Sequence, residues 1–426
     1  MRPVARCGRF SQPIIVTELQ CRYRKMTTTE QLALDRIFDA EQIRSAYQPI
    51  VNLEHGDVVG AEALARWPGL GLSPDVAFEY ARRADRVEEL DTKCQRAAVE
   101  GLRGSDLPEG FKVFVNVEPG MSVAALTERS TGPKLVAEIT ERALTHNPAE
   151  LLRSLRQMRD RGCGIALDDV GAVPDSLSLL PFLAPDVIKL DISLVQRWPD
   201  GGQARILTAV AAYAEQSGAT VLAEGIETEA HLQQSLALGA TLGQGWYFSR
   251  PGPLGTYPPP HRSIPLLDAP TRNGGTPFEL LDPRRVRTAP KGLLLSISRH
   301  IEQQGLSLQT PPLVLAAFQS AGRFTPATAV RYRHLAERCP LVVALGAGMK
   351  TNPARGVRGA DLSPRDPLRG EWTVILVGAH YTGALIAKDL GDSGPDLQRR
   401  YLFALTHDHD TVLAAARALL GRIDPV

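Results

Sequence analysis

The sequence predicts an α/β barrel joined to a smaller α/β domain, and three observations carry that reading. Short apolar runs that each end in a charged or amide side chain recur between residues 57 and 248: VVGAEALARW, VFVNVEP, LVAEITER, GIALDDVGA, VIKLD, VLAEGIET and LGQGWYF. Amphipathic stretches at 74–85, 89–102, 148–161, 203–217 and 229–238 lie between them, the alternation expected of a parallel sheet with crossover helices. About eight strands within roughly 210 residues suit a closed barrel, and no mononucleotide glycine fingerprint speaks for an open doubly wound sheet.

Along the chain, residues 28–47 read as a helix leading into the strand SAYQPIVNL. His55-Gly56-Asp57 then turns the chain into the next strand as a hairpin. From Ala61 onward strand and helix alternate. The segment SRPGPLGTYPPPHRSIPLLDAPTRNGGTP is rich in Pro and Gly and reads as an interdomain linker without core residues. A second domain begins at Phe278. In it GLLLSISRHIEQQ reads as a helix, PLVVALGAG and WTVILVGAHY as strands, and DTVLAAARALLGR as a terminal helix. The expected division is therefore a disordered leader at 1–27, a barrel at 28–250, a linker at 251–277 and a smaller α/β domain at 278–421.

At 426 residues the chain is long enough for two cores, and 43% hydrophobic with 22% charged residues is an ordinary globular composition. A net charge of +1 excludes a global field for DNA or an anionic membrane. No apolar run approaches the roughly 20 residues that span a bilayer. Cys7, Cys21, Cys94, Cys163 and Cys339 are scattered without metal-type spacing, which points to a reducing cytoplasmic setting.

Strand alternation puts i and i+2 on one face. Phe114 and Asn116, Ala166 and Asp168, and Val187 and Lys189 are such pairs, as are Glu62, Leu64 and Arg66. Four acidic or amide groups, Glu62, Asn116, Glu138 and Asp168, would then converge on one barrel mouth, where a cation must offset their repulsion. Oxygen donors without His or Cys favour Mg²⁺ or Mn²⁺ over Zn²⁺. Asp169, next to Asp168, suits a second ion roughly 3.5–4 Å away, the spacing of two-metal phosphodiester hydrolysis. Lys189 adds a cation for a phosphoryl oxygen or the attacking water.

These residues stand in ordered motifs: YQPIV at 47–51, AEALARW at 61–67, Asn116 in FVNVEP, EITE at 138–141, the Asp pair at 168–169, IKLD at 188–191, AEGIET at 223–228 and QGWYF at 244–248. In them the sequence resembles the EAL domains, cyclic di-GMP phosphodiesterases built on a modified TIM barrel whose first strand is antiparallel. The resemblance implies hydrolysis of cyclic di-GMP to linear pGpG with two Mg²⁺ or Mn²⁺. It implies Glu62, Asn116, Glu138 and Asp168 as metal ligands, with Asp169 and Glu224 serving the second metal and its water. Lys189 would position that water, and Arg66 would meet a substrate phosphate. Gln48 and Gln244 would line the pocket, Glu227 would lie near its mouth, and Glu141 would anchor the loop after the Asp pair. It also implies a homodimer formed through the barrel. One departure stands out: Val170-Gly171-Ala172-Val173-Pro174-Asp175-Ser176 replaces the family's Phe-Gly-Thr-Gly stretch. That loop links metal binding to dimer contacts in the family, so the change bears on turnover and leaves a cyclic di-GMP receptor as the alternative.

The second domain resembles the DICT sensory domain in the stretches at 315–337, 366–392 and 401–420, which implies an input role for an unidentified ligand or protein. Thr406-His407-Asp408-His409-Asp410 resembles a metal cluster but reads better as the cap of the terminal helix. His380 and Tyr381 read as strand-end polar residues, Asp191 and Ser193 as a helix start, and Trp67 and Trp246 as rim packing.

Overall fold

The computed structural model describes residues 35–118, 132–140, 148–171, 177, 180–267, 275–308, 310–379 and 381–423. The expected leader, Glu141, His380 and most of the loop after Gly171 fall outside them. The helix expected before the first strand is replaced, over its described part, by two short 3₁₀ turns at Arg36–Phe38 and Ala40–Gln42.

Strands β1 (Arg44–Asn52) and β2 (Val58–Arg66) form the expected antiparallel hairpin. Asn52 makes its turn, accepting the backbone N–H groups of Glu54 and His55 on its side-chain oxygen, and Gly56 supplies the left-handed φ of +76°. Next come helices α1 (Pro74–Arg83) and α2 (Val87–Glu100). Strands β3 (Lys112–Asn116), β4 (Lys134–Thr140), β5 (Gly164–Val170), β6 (Val187–Leu190), β7 (Thr220–Ala223) and β8 (Leu242–Gly243) then follow. Helices α3 (Pro148–Asp160), α4 (Leu180–Leu183), α5 (Ile192–Gln196), α6 (Gly201–Ser217) and α7 (Glu229–Ala237) are interleaved among them. β2 to β8 run parallel in chain order, and β1 closes the barrel antiparallel to both β2 and β8. This is the modified barrel that the sequence predicts.

The interior is layered by strand periodicity. Ile50, Val59, Phe114, Val136, Ala166, Val187, Leu222 and Leu242, one from each strand, form an apolar floor. Two residues further on, at Asn116, Glu138, Asp168, Lys189, Glu224 and Gln244, the same faces turn polar, as the i, i+2 rule requires. β1 runs the other way, so its polar partner is Gln48.

The Pro-rich segment differs from the expected plain linker. Ile264 is 4% exposed and completes the apolar floor from below. Tyr257 stacks on Phe111 at 5.3 Å, and the Ser263 hydroxyl donates to the Gly110 carbonyl. Residues 251–267 are thus a strap across the bottom of the barrel. Composition hid this, because a few apolar side chains among many prolines carry the packing.

The second domain holds β9 (Arg287–Pro290), α8 (Lys291–Ser307), β10 (Leu313–Ser320), α9 (Pro326–Ala336), β11 (Val342–Ala347), β12 (Val357–Asp361), β13 (Glu371–Val377), β14 (Thr382–Asp389), β15 (Arg400–Thr406) and α10 (His409–Leu420). Its seven strands form one mixed sheet in the order β12-β11-β10-β13-β14-β15-β9. Both faces are covered, which explains the continuous apolar runs in its central strands. Val314, Ala316, Val374 and Leu376 face α8 and α9 through Leu294, Ile301 and Tyr332. Leu313, Leu315, Ile375 and Val377 belong to the cluster holding Val412, Ala416 and Leu419 of α10, and that cluster continues into Leu180, Phe182 and Leu183 of α4. Barrel and second domain therefore share apolar packing through α10. A crevice of about 500 Å³ opens between α6 and the second domain, with Tyr381 in its wall.

Candidate functional site

The polar layer at the C-terminal end of β2–β8 gathers around one ammonium. Lys189, 1% exposed, places Nζ 2.5 Å from Glu138 Oε1, 2.8 Å from Glu224 Oε1, 3.0 Å from Asp168 Oδ1 and 3.6 Å from Glu62 Oε2. Four carboxylates from β2, β4, β5 and the end of β7 thus meet one cation from β6. Glu62 is further held by amides: Gln244 Nε2 donates to Oε2 at 2.7 Å and Asn116 Nδ2 to Oε1 at 3.1 Å. Gln244 also donates to Gln48 Oε1 at 3.2 Å, and Gln48 to the Ser249 carbonyl. Gly245 after Gln244 is required by close approach, since a Cβ there would collide with the Ile226 backbone.

Asp169 enters the mouth through a break in pairing. The β5–β6 register shifts between Leu167 and Val170, and Asp169 takes a φ of +56°. That bulge spends one extra residue, so the Asp pair does not alternate faces. Left-handed backbone away from glycine costs about 1–3 kcal/mol and concentrates at functional sites. Asp168, Asp169 and Glu224 bring one carboxylate oxygen each within 4.8 Å of one another.

The charges are strongly unbalanced. Burial alone would pull the Lys189 ammonium down, but Asp168, Glu138, Glu224 and Glu62 together hold it well above its ordinary value. Burial, with the neighbouring Glu62 next in weight, pushes the Glu138 carboxyl well up. Burial likewise raises Glu224 to about 8 against the pull of Lys189. At Glu62 burial is outweighed by Lys189 and by the Gln244 and Asn116 donors, and its carboxyl lies below the usual range. Apart from the Lys189 ammonium, neither oxygen of Glu138 nor Oδ1 of Asp168 has a hydrogen-bond donor among the described residues. Buried carboxyl oxygens gathered in this number, which resist ionisation without a counter-charge, are what a hard divalent cation takes as ligands. The donor set therefore fits the Mg²⁺ or Mn²⁺ expected from the sequence.

Of the expected substrate residues, Gln48 and Gln244 sit in this layer. Arg66 ends β2 half-buried, its guanidinium donating to the Ala65 carbonyl at 2.9 Å. The Glu227 side chain is exposed and lies outside the cluster around Lys189. Asp191 caps α5 as expected, accepting from Ser193 N at 2.9 Å, and Asp408 caps α10, accepting from Thr411 N at 3.0 Å. Trp67 is buried, with its indole N–H on the Ile37 carbonyl, whereas Trp246 is 56% exposed beneath Arg250. Asp91 was not legible in the sequence. It is 1% exposed on α2, its carboxyl raised by burial, and it accepts from Gln95 and from the Glu118 backbone just past Asn116. In sequence it looks like any carboxylate on a solvated helix face; only its i, i+4 pairing with Gln95 hints otherwise.

Residues 31–251, just over half of the chain, match the family model of the EAL domain. The chain belongs to the EAL domain family. Residues 278–390 match the DICT model, a sensory domain in diguanylate cyclases and two-component systems. Among curated EAL relatives, the cyclic di-GMP phosphodiesterase RocR of Pseudomonas aeruginosa is 32% identical over 235 residues, covering 51% of this chain and 59% of RocR. The probable cyclic di-GMP phosphodiesterase PdeG of Escherichia coli is 31% identical over 246 residues, covering 54% and 48%. The chain thus spans about half the length of these relatives. A solved complex of the PaMucR phosphodiesterase with c-di-GMP is 27% identical, with a TM-score of 0.46, over 52% of this chain and 96% of that one. Klebsiella pneumoniae BlrP1, solved with calcium and cyclic di-GMP, is 29% identical, with a TM-score of 0.42, over 50% and 56%. Among the described residues no helix is long and apolar enough to cross a membrane.

Proposed function

We propose that the barrel hydrolyses cyclic di-GMP to linear pGpG with two Mg²⁺ or Mn²⁺, and that the C-terminal domain regulates it. The observation that carries this reading is the convergence of Glu62, Glu138, Asp168 and Glu224 on Lys189, with Asp169 brought beside them by the β5 bulge. EAL membership and the phosphodiesterases among its relatives support the substrate.

In this reading Glu62, Asn116, Glu138 and Asp168 hold one cation and Asp169 with Glu224 serve the second. Bound cations supply Lewis-acid charge at phosphorus and a more acidic water. The chain's own residues do the rest. Asn116 spends its amide nitrogen on Glu62 and keeps its oxygen for a ligand role. Gln244 fixes Glu62 from the other side and Gln48 beside it. Lys189 offers its protons to the water or to a phosphoryl oxygen, and its buried ammonium stabilises charge that builds there. Arg66 suits a substrate phosphate through its fork of donors. Glu227 and Glu141 stay assigned to the mouth and the loop after the Asp pair. The reading includes a homodimer through the barrel and a cytoplasmic setting.

The test is to incubate the purified chain with cyclic di-GMP and Mg²⁺ or Mn²⁺ and to look for pGpG. Cleavage is expected with either ion and none after chelation; Ca²⁺ is expected to bind and inhibit, because its larger, looser shell misplaces the water. Tight binding of cyclic di-GMP without cleavage under any of these ions would favour the receptor reading instead.

A further inference from the structure

The four-residue helix α4 connects the two halves of the site, following β5 with Asp168 and Asp169 and preceding β6 with Lys189. All four of its residues are buried, and a helix this short cannot bond its own last carbonyls. Two guanidinium groups do so. Arg159 of α3 donates to the Ala184 carbonyl at 2.6 Å, just after α4, where Ala184 takes a left-handed φ of +44°. Arg417, from α10 of the second domain, donates to the Pro181 and Phe182 carbonyls at 2.8 and 3.4 Å. Arg159 also pairs with Asp186, whereas Arg417 gives Nη2 to these two carbonyls. A half-buried guanidinium given over to backbone carbonyls of another domain is a specific contact, since its desolvation is offset only where the geometry fits. Cations are also favoured at a helix C-terminus.

We propose that Arg417 is a positioning residue for the barrel's site, holding α4, which leads through Ala184 and Asp186 into β6 and Lys189. It makes α10 the element through which the second domain acts on the barrel. The inference deepens the regulatory reading above and rests on the phosphodiesterase assignment only for its kinetic arm.

The experiment uses the full chain with Arg417→Met, which keeps the apolar stem but no donor, and Arg417→Lys, which keeps a charge able to reach a carbonyl. Three measurements apply to each: hydrogen exchange over residues 180–190, Mn²⁺ affinity by calorimetry without substrate, and kcat with KM on cyclic di-GMP. For Arg417→Met the expected result is faster exchange over 180–190 with the rates in β2 and β3 unchanged. Mn²⁺ affinity should be at least about fivefold weaker, the lower end of usual intersite coupling, and kcat should fall while KM stays. Arg417→Lys should recover part of each loss. A purely structural role would lower the melting temperature and leave the Mn²⁺ affinity of the folded protein untouched. For Arg417→Met, unchanged exchange over 180–190 with a smaller loss of affinity overturns the proposal; if that variant does not fold, Arg417→Lys decides, and exchange and Mn²⁺ affinity both equal to wild type overturn it. A wild type that binds Mn²⁺ but leaves cyclic di-GMP intact would defeat the phosphodiesterase reading, while exchange and affinity still decide this one.

Discussion

Removing the Lys189 ammonium would leave Glu62, Glu138, Asp168 and Glu224 facing one another with no other cation paired to them among the described residues. Two consequences separate its role from that of a ligand. In turnover, Lys189→Ala should cost on the order of 3 kcal/mol of transition-state stabilisation, about a hundredfold in kcat, with substrate binding retained. In stability, breaking a buried ionic cluster by deleting one sign costs about 3–5 kcal/mol, so the variant should melt well below wild type in chelator. Added Mg²⁺ should then raise the variant's melting temperature more than wild type's, because the cation takes over neutralisation. Glu62→Gln should behave in the opposite manner: less repulsion without metal, and much weaker cation binding by calorimetry. Equal responses of both variants to metal would show that the two side chains do not divide the work in this way. Most of this constellation was legible because strand period alone turns Asn116, Glu138, Asp168 and Lys189 to one face. The bulge that brings Asp169 beside Asp168 was not, since a register shift leaves no mark in composition.

The connections between elements rest on a few buried charges that sequence does not rank. Asp186, fully buried before β6, takes both its oxygens to Arg159 at 2.7–2.8 Å and also accepts the backbone N–H groups of Ile165 and Leu267. It thereby joins α3, β5, β6 and the strap. Asp186→Asn keeps the shape but strands the Arg159 charge, and should cost about 3–5 kcal/mol in denaturant unfolding. An effect below about 1 kcal/mol would mean that water already shares the pair. In the second domain a surface tie of the opposite kind joins α8 to the start of β15. Hydrogen bonds from Lys291 and Arg323 hold Asp396 at about 2, below its ordinary 3.8. A depressed carboxyl contributes above its unfolded value and loses that contribution as pH falls through the folded one. The Asp396→Asn deficit should therefore be present at pH 7, narrow from about pH 4 towards 2, and stay below about 1 kcal/mol because the group is exposed. A deficit that grows as pH falls would reverse the assignment. Both aspartates look alike in sequence; only burial separates the strong tie from the weak one.

At the scale of the whole molecule, the barrel does not end where its last strand ends. Ile264 seats in the apolar floor formed by one residue from each strand, and the strap that carries it continues to Leu267, whose backbone bonds to Asp186. Helix α10 then covers α4 from the other domain. The Pro- and Gly-rich composition pointed to a linker because turn-forming residues dominate the count. Two or three apolar side chains decide the packing, and they carry no period to be read. The consequence can be tested with two shortened chains, one ending at Pro260 and one at Leu267. The first leaves the floor open to water and loses the Asp186 contact; the second keeps both. Leaving an isoleucine-sized cavity at this position should cost about 2–5 kcal/mol, so the chain ending at Pro260 should unfold at clearly lower denaturant than the one ending at Leu267. Ile264→Ala in the full chain should lose a comparable amount without changing metal affinity. Every group assigned to the chemistry lies before the strap, so the chain ending at Leu267 should keep cation-dependent cleavage. Its rate should change, because Arg417 no longer caps α4. Equal stability of the two shortened chains would show that the strap only lies on the barrel. A well-folded chain ending at Leu267 that cleaves nothing, and is rescued by the separate second domain, would place an essential group beyond residue 267.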